Sequence, residues 1–129
     1  MRPNLHINDM ADIYQLLLEV PKGKIAGQIF NAGYENRSIM DTAKMVRKVV
    51  MEEFPEKGEI GITTTPTNDP RSYHINSEKI ARMLGFRPKR TIEDAVRDLC
   101  KAFKTGKLPD SMTDDRYYNV RTMKVLKAA

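Results

Sequence analysis

Arg2-Pro-Asn-Leu-His-Ile-Asn-Asp-Met-Ala11 is the stretch on which the reading of the fold turns. It runs from an arginine through a short extended segment to an aspartate, and a helix begins at once. Asp9 is expected to cap that helix, since its carboxylate can accept from the unpaired N–H groups of a first turn. Met10, Ile13, Leu16, Leu17 and Val20 follow at helical spacing, and Pro21 and Gly23 end the run. An arginine placed just ahead of an anchored helix is well placed to face an anion at the edge of a site.

Further along, Gln28 to Ala32 reads as a short strand turned by Gly33. Ser38-Ile-Met-Asp41 is a capping-box pattern, and Ile39, Ala43, Val46, Val50 and Phe54 give the helix behind it one apolar face. Glu59 to Thr65 has strand composition, with Ile60 and Ile62 alternating. Pro66 to Pro70 reads as a loop and Tyr73 to Ile75 as a brief extended piece. Asn76 or Ser77 caps a short helix carrying Ile80, Met83 and Leu84, closed by Gly85. Thr91-Ile-Glu-Asp94 is a second capping box, opening a helix with Ile92, Ala95, Leu99 and Phe103 that Gly106 stops. The polar stretch 107–129 is expected to be an irregular tail. The order is helix, strand, helix, strand, helix, helix: a mixed, helix-rich α/β chain of 129 residues, expected to form a single domain.

Composition narrows the function classes. Hydrophobic residues make up 40% and charged residues 30%, as in a globular protein with a core of its own. No apolar run is long enough to cross a bilayer and no apolar signal core opens the chain, so no membrane association is expected and a cytoplasmic location is. Cys100 stands alone, and no Cys/His cluster has zinc spacing, so neither a disulfide nor a metal site is expected. The net charge is +5, but lysines and arginines are interleaved with acids and there is no tryptophan. Nucleic-acid binding wants a concentrated basic stripe with stacking rings, and is not expected here.

The motifs of dinucleotide chemistry are missing. The glycines, at 23, 27, 33, 58, 61, 85 and 106, do not form the close-spaced fingerprint through which a backbone approaches a pyrophosphate. A tyrosine with a lysine four residues on would supply an acid/base group with a helper cation. Tyr14, Tyr34, Tyr73, Tyr117 and Tyr118 are instead followed at that spacing by Leu18, Ser38, Ser77, Arg121 and Thr122. His6 and His74 are candidate proton-transfer groups, with His6 read as organising local backbone. Cys100 reads as a small core or boundary residue. Two loop arginines remain. Arg2 precedes an extended segment, and Arg71 lies in Thr67-Asn-Asp-Pro-Arg-Ser-Tyr73. A guanidinium offers a phosphate two parallel hydrogen bonds, so the pair can clamp a diphosphate. From the residues alone, the favoured reading of both is surface arginines paired with Asp69 or Asp9.

Several of these stretches, in order, resemble the C-terminal part of the NAD-dependent epimerase/dehydratase family, the extended short-chain dehydrogenases that act on nucleotide sugars. Arg2 to Ala11 is similar to the family segment Arg-x-aromatic-apolar-His-Val-x-Asp-apolar-Ala, with Asn4 in place of the aromatic. Phe30-Asn-Ala-Gly33 with Ser38 resembles its Tyr-Asn-apolar-Gly and Ser stretch. Asp69-Pro-Arg-Ser-Tyr73, Lys79-Ile80 and Leu84-Gly-Phe-Arg-Pro88 resemble its Asp-x-Arg-x-Tyr, Lys-Ile and Leu-Gly-Phe-x-Pro run. Thr91 to Asp94 is similar to the start of its last long helix, and Tyr117-Tyr-Asn-Val-Arg121 resembles a tail in some dehydratase-like members.

The resemblance implies that Arg2 and Arg71 bind the diphosphate of a nucleoside-diphosphate sugar, with Asp9 as a helix cap and His6 as a local organiser. It implies a substrate domain whose Rossmann half is absent from this sequence. NAD(P) would belong to the full-length enzyme. This chain alone would hold no cofactor, carry no catalytic residue and be inactive, and it reads as one part of a larger enzyme. Its expected partners are the sugar nucleotide and the missing half, with a homodimer left open. The alternative is a non-catalytic protein-interaction module derived from the same family.

Overall fold

The computed structural model describes residues 1–66 and 72–127. They fall into two compact units, 1–98 and 99–129. The first unit starts with β1, Arg2–Asn4, which pairs antiparallel with β2, Glu35–Arg37. The register sets Arg2 opposite Arg37, Pro3 opposite Asn36 and Asn4 opposite Glu35. Between the strands lie α1, Ile7–Glu19, and a single turn, α2, Lys22–Ile25. After them come α3, Ile39–Glu53, a 3₁₀ turn at Pro55–Lys57, and α4, Glu78–Leu84. The helix α5, Ile92–Lys104, begins in the first unit and ends in the second, which also holds a 3₁₀ turn at Asp115–Tyr117 and α6, Asn119–Val125.

The expected helix boundaries are realised by their caps. Ser38 Oγ accepts from the Asp41 N–H at 3.0 Å and donates to the Asp41 carboxylate at 2.6 Å. Thr91 and Asp94 satisfy each other reciprocally, at 2.8 Å and 3.1 Å. At α4 the two candidate caps divide the work. Asn76 Oδ1 accepts from the Glu78 N–H at 2.7 Å, which leaves the Ser77 hydroxyl for other partners. Gly85 closes α4 at φ 71°, in the left-handed region that a side chain would strain.

Asp9 is not the cap of α1. His6 is: its Nδ1 accepts from the Asn8 N–H at 3.1 Å. Asp9 sits in the first turn at 1% exposure, and its carboxylate faces away from the helix start. It accepts from the backbone N–H groups of Lys89 and Arg90 at 3.1 and 3.0 Å and from the Arg90 guanidinium at 2.6 Å. The same guanidinium nitrogen reaches Asp12 at 2.8 Å. Capping uses whichever acceptor lies just before the first helical residue. Here the helix starts three residues earlier than the apolar spacing suggests, which puts His6 in that place.

Neither expected strand forms a ladder. Gln28 to Ala32 has no strand partner among the described residues, and Ile29 is 81% exposed. A strand is defined by a neighbouring edge, not by its own composition. The stretch is held by side chains instead. Lys79 Nζ donates to the Ile29 carbonyl at 2.9 Å, and the Ser77 hydroxyl both accepts from the Gly33 N–H and donates to the Gly33 carbonyl. Asn36 repeats the device, bonding the Ile75 carbonyl at 3.1 Å and the Ile75 N–H at 3.0 Å. Gly33 is required by this closeness, since a Cβ there would collide with the Ile75 side chain. Glu59 to Thr65 also lies outside any ladder, although Ile60 and Ile62 are half-buried and their neighbours exposed, as the alternation predicts.

The buried positions of the first unit are Ile13, Val49, Ile80 and Val96, together with His6 and Asp9; Cys100 is buried in the second. On α5 the buried pair is Val96 and Cys100, one position along from the expected Ala95 and Leu99; Leu99 and Phe103 are 54% and 52% exposed. The stretch read as an irregular tail holds α6. Thr122 Oγ1 bonds the Asp115 carbonyl and Tyr118 donates to the Met112 carbonyl at 3.0 Å, and these local bonds order a polar sequence.

Asp9→Ala should leave the Lys89 and Arg90 N–H groups and the Arg90 guanidinium without their acceptor. The loss expected is about 3 kcal/mol, read as a lower urea midpoint. An unchanged midpoint would show that the 89–90 turn is held by something else.

Candidate functional site

Arg2 projects from β1, and the structure brings it to the C-terminal side of the Asp-Pro-Arg-Ser-Tyr run. Its guanidinium lies 5.2 Å from the centroid of the Tyr73 ring. The Tyr73 N–H donates to the Met1 carbonyl at 3.3 Å, and the terminal ammonium hydrogen-bonds the Ser72 hydroxyl. A guanidinium resting on a ring has its charge held in place by the ring face. Arg71 itself, with Thr67 to Pro70, lies outside the described residues. Asp9 is occupied by Arg90, so the pairing of Arg2 with Asp9 is not the one formed.

Arg2 and Arg37 stand opposite one another in the ladder, so both belong to one face of it. Glu35, on the same strand as Arg37, hydrogen-bonds its guanidinium and offsets that charge. The face bearing Arg2 and Asn4 walls a cleft of about 570 Å³ whose floor is α3. The apolar positions read from the sequence of α3, Ile39, Ala43, Val46 and Val50, all line it, and Ile60 and Ile62 close the far side. Val49, by contrast, is the fully buried residue of the helix. Arg47 also lines the cleft, half-buried, with no side-chain partner among the described residues. Sequence reading overlooked it because a charged residue beside an apolar stripe looks like ordinary solvated surface. Its spacing of four from Ala43 was the available signal. A smaller cavity, about 410 Å³, continues from Arg2 and Ile62 to Thr65 and Met40.

The histidines are apart in character. His74 is exposed. His6 is 4% exposed, and because its Nδ1 accepts from the Asn8 N–H, Nε2 carries the ring proton. That Nε2 lies 3.4 Å from an Asp98 oxygen and makes no hydrogen bond among the described residues. This is the geometry of a backbone organiser. Arg97 ties α5 to α3, reaching Glu52 at 2.7 Å, Glu53 at 2.9 Å and, within α5, Glu93 at 2.9 Å; these hydrogen bonds push its pKa up.

Among the described residues no three His, Cys, Asp or Glu side chains gather as a metal site, and no helix is long and apolar enough to cross a membrane. The residues present do not fit a dinucleotide. The glycines with positive φ, at 27, 58, 85 and 106, follow helices or 3₁₀ turns, and none leads from a strand into a helix N-terminus.

No family model matches the chain, and no solved structure matches it. Among curated proteins it is similar to Catenin alpha-2 of Xenopus laevis, 29% identical over 86 residues, which is 67% of this chain and 8% of that protein. It is also similar to dTDP-glucose 4,6-dehydratase 1 of Escherichia coli, 28% identical over 102 residues, which is 75% of this chain and 27% of the dehydratase. The dTDP-glucose 4,6-dehydratase of Shigella flexneri matches over the same length and identity. The chain therefore spans a minor part of each of these relatives. The dehydratase likeness is distant, and it supports a region related to nucleotide-sugar enzymes at that coarse level.

Three carboxyls are held below their ordinary value of 3.8: Asp12 by its hydrogen bond from Arg90, Asp94 by the Thr91 backbone N–H and then its hydroxyl, and Asp114 by Arg116. A lowered folded-state pKa stabilises the fold above the unfolded value and is lost as pH falls through the folded one. Urea midpoints should therefore be insensitive to these groups above about pH 5 and fall below about pH 4. The fall should be shallower in Asp94→Asn; an identical acid limb in that variant would contradict the assignment.

Proposed function

We propose that this chain is the substrate-binding part of an NAD-dependent nucleotide-sugar epimerase or dehydratase, and that Arg2 and Arg71 grip the diphosphate of a nucleoside-diphosphate sugar. The observation that carries the reading is the stacking of Arg2 on Tyr73, beside the hydrogen bonds that the Tyr73 N–H donates to the Met1 carbonyl and the Met1 ammonium donates to the Ser72 hydroxyl. Residues 72 and 73, which follow Arg71 in sequence, meet the strand of Arg2 there. The likeness to dTDP-glucose 4,6-dehydratase over three-quarters of the chain supports the same ligand class. So does the net charge of +5, which favours a dianionic ligand.

The chain's own residues bind and orient in this reading. Hydride transfer would be the work of NAD(P) held by a Rossmann half, and the acid–base tyrosine and lysine would come from there too. This chain is then inactive alone, works in the cytoplasm, and has the sugar nucleotide and that half as partners. A homodimer is compatible with it.

A second reading, a non-catalytic interaction module, is favoured by the likeness to Catenin alpha-2 and by an outward apolar stripe on α1. Ile7, Tyr14 and Leu18 are 74%, 64% and 88% exposed and share one helix face.

Calorimetric titration with dTDP-glucose separates the two. Binding is expected, and Arg2→Ala or Arg71→Ala should each weaken it by roughly tenfold or more. No binding to the intact chain, or equal affinity in both variants, would remove the diphosphate grip and leave the interaction module.

A further inference from the structure

We propose that the cleft over α3, whose wall bears Arg2, is a binding site for a single-chain aliphatic carboxylate. Its shape, lining and charge each bear on the ligand. The floor runs from Ile39 to Val50, twelve residues of helix, or about 16 Å end to end at the helical rise. The volume, about 570 Å³, is that of a small-molecule site. The floor and far wall are mostly branched aliphatic side chains, with Thr42, Ala43 and Gly61 among them, and no aromatic ring lines the cleft. A flat ring would find nothing to stack on, whereas an alkyl chain lying along the helix would be in contact throughout.

The charge selects the head group. Arg47 is half-buried at the edge of this apolar surface, and its guanidinium has no acid facing it among the described residues. On the adjoining turns of α3, Lys44 adds positive charge and Lys48 is paired with Glu52 at 3.8 Å; Glu52 and Glu53 also bond Arg97, and Asp41 is bonded by Ser38. A guanidinium partly withdrawn from water and lacking a partner favours an anion, and a carboxylate matches its fork. Arg2, at the other end, is held on Tyr73. The tail would therefore run from Arg47 toward Ile39, with Ile60 and Ile62 above it.

The experiment is calorimetric titration of the chain with hexanoate, octanoate and decanoate, and with 1-octanol as the neutral partner of octanoate. One site is expected, with affinity rising about fourfold per methylene and octanoate bound roughly tenfold tighter than octanol. Arg47→Gln should abolish the difference between octanoate and octanol and leave octanol unchanged, and Arg47→Lys should restore part of it. Ala43→Phe should fill the floor and abolish both, with helical content intact by circular dichroism.

The proposal fails if octanoate binds no tighter than octanol, or if Arg47→Gln leaves octanoate affinity unchanged. It fails also if the chain self-associates in sedimentation and Ala43→Phe makes it monomeric, for the cleft is then a contact between copies. None of these outcomes depends on Arg71, so the diphosphate grip stands or falls by its own titration.

Discussion

The first unit depends on one buried carboxylate. Asp9 is almost fully enclosed, and an ionised carboxylate in that position is tolerable only with its oxygens satisfied. Two backbone N–H groups and a guanidinium satisfy them, all from residues 89 and 90. The result is a fixed distance between the start of α1 and the turn that leads into α5. With that turn placed, Thr91 can begin α5, and α5 can present Arg97 to the end of α3. β1 enters the same assembly through His6, which ends the strand's extension and caps the helix carrying Asp9.

Much of the helical framework was legible because helix starts are local chemistry. Ser38 with Asp41, Asn76 with Glu78, and Thr91 with Asp94 each need only a few consecutive residues, and each bonds as its sequence suggests. Gly85 ends α4 for an equally local reason. What could not be read was decided at long range. Asp9 has the composition of a cap, and only the arrival of residues 89 and 90 makes it an anchor. The strands failed for the same reason: Gln28 to Ala32 has β composition but no edge to join. Of the site, Arg2 was legible as a loop arginine, whereas its seat on Tyr73 requires residues far along the chain to return to the N-terminus. Arg47 was illegible because its significance lies in what fails to face it.

The small ladder is supplemented by side chains acting as backbone. The Asn36 amide and the Ser77 hydroxyl each bond both polar groups of one residue, as a neighbouring strand would. That economy leaves the apolar faces of α1 and α3 only partly covered. The unit thus keeps its backbone satisfied while presenting hydrophobic surface outward, where ligands or partners can meet it.

These stitches all span long stretches of chain: Asp9 to Arg90, Gly33 to Ser77, Asn36 to Ile75. During synthesis, then, the early helices leave the ribosome well before the groups that fix them. Until residue 90 emerges, the Asp9 carboxylate has neither its backbone donors nor its guanidinium, and α1 must wait in water with its charge solvated. The first unit is therefore a structure completed from its far end. Its nascent form leaves Ile13, buried in the finished unit, open to water beside the outward stripe of α1, which is the period when the chain has most need of protection from its own kind.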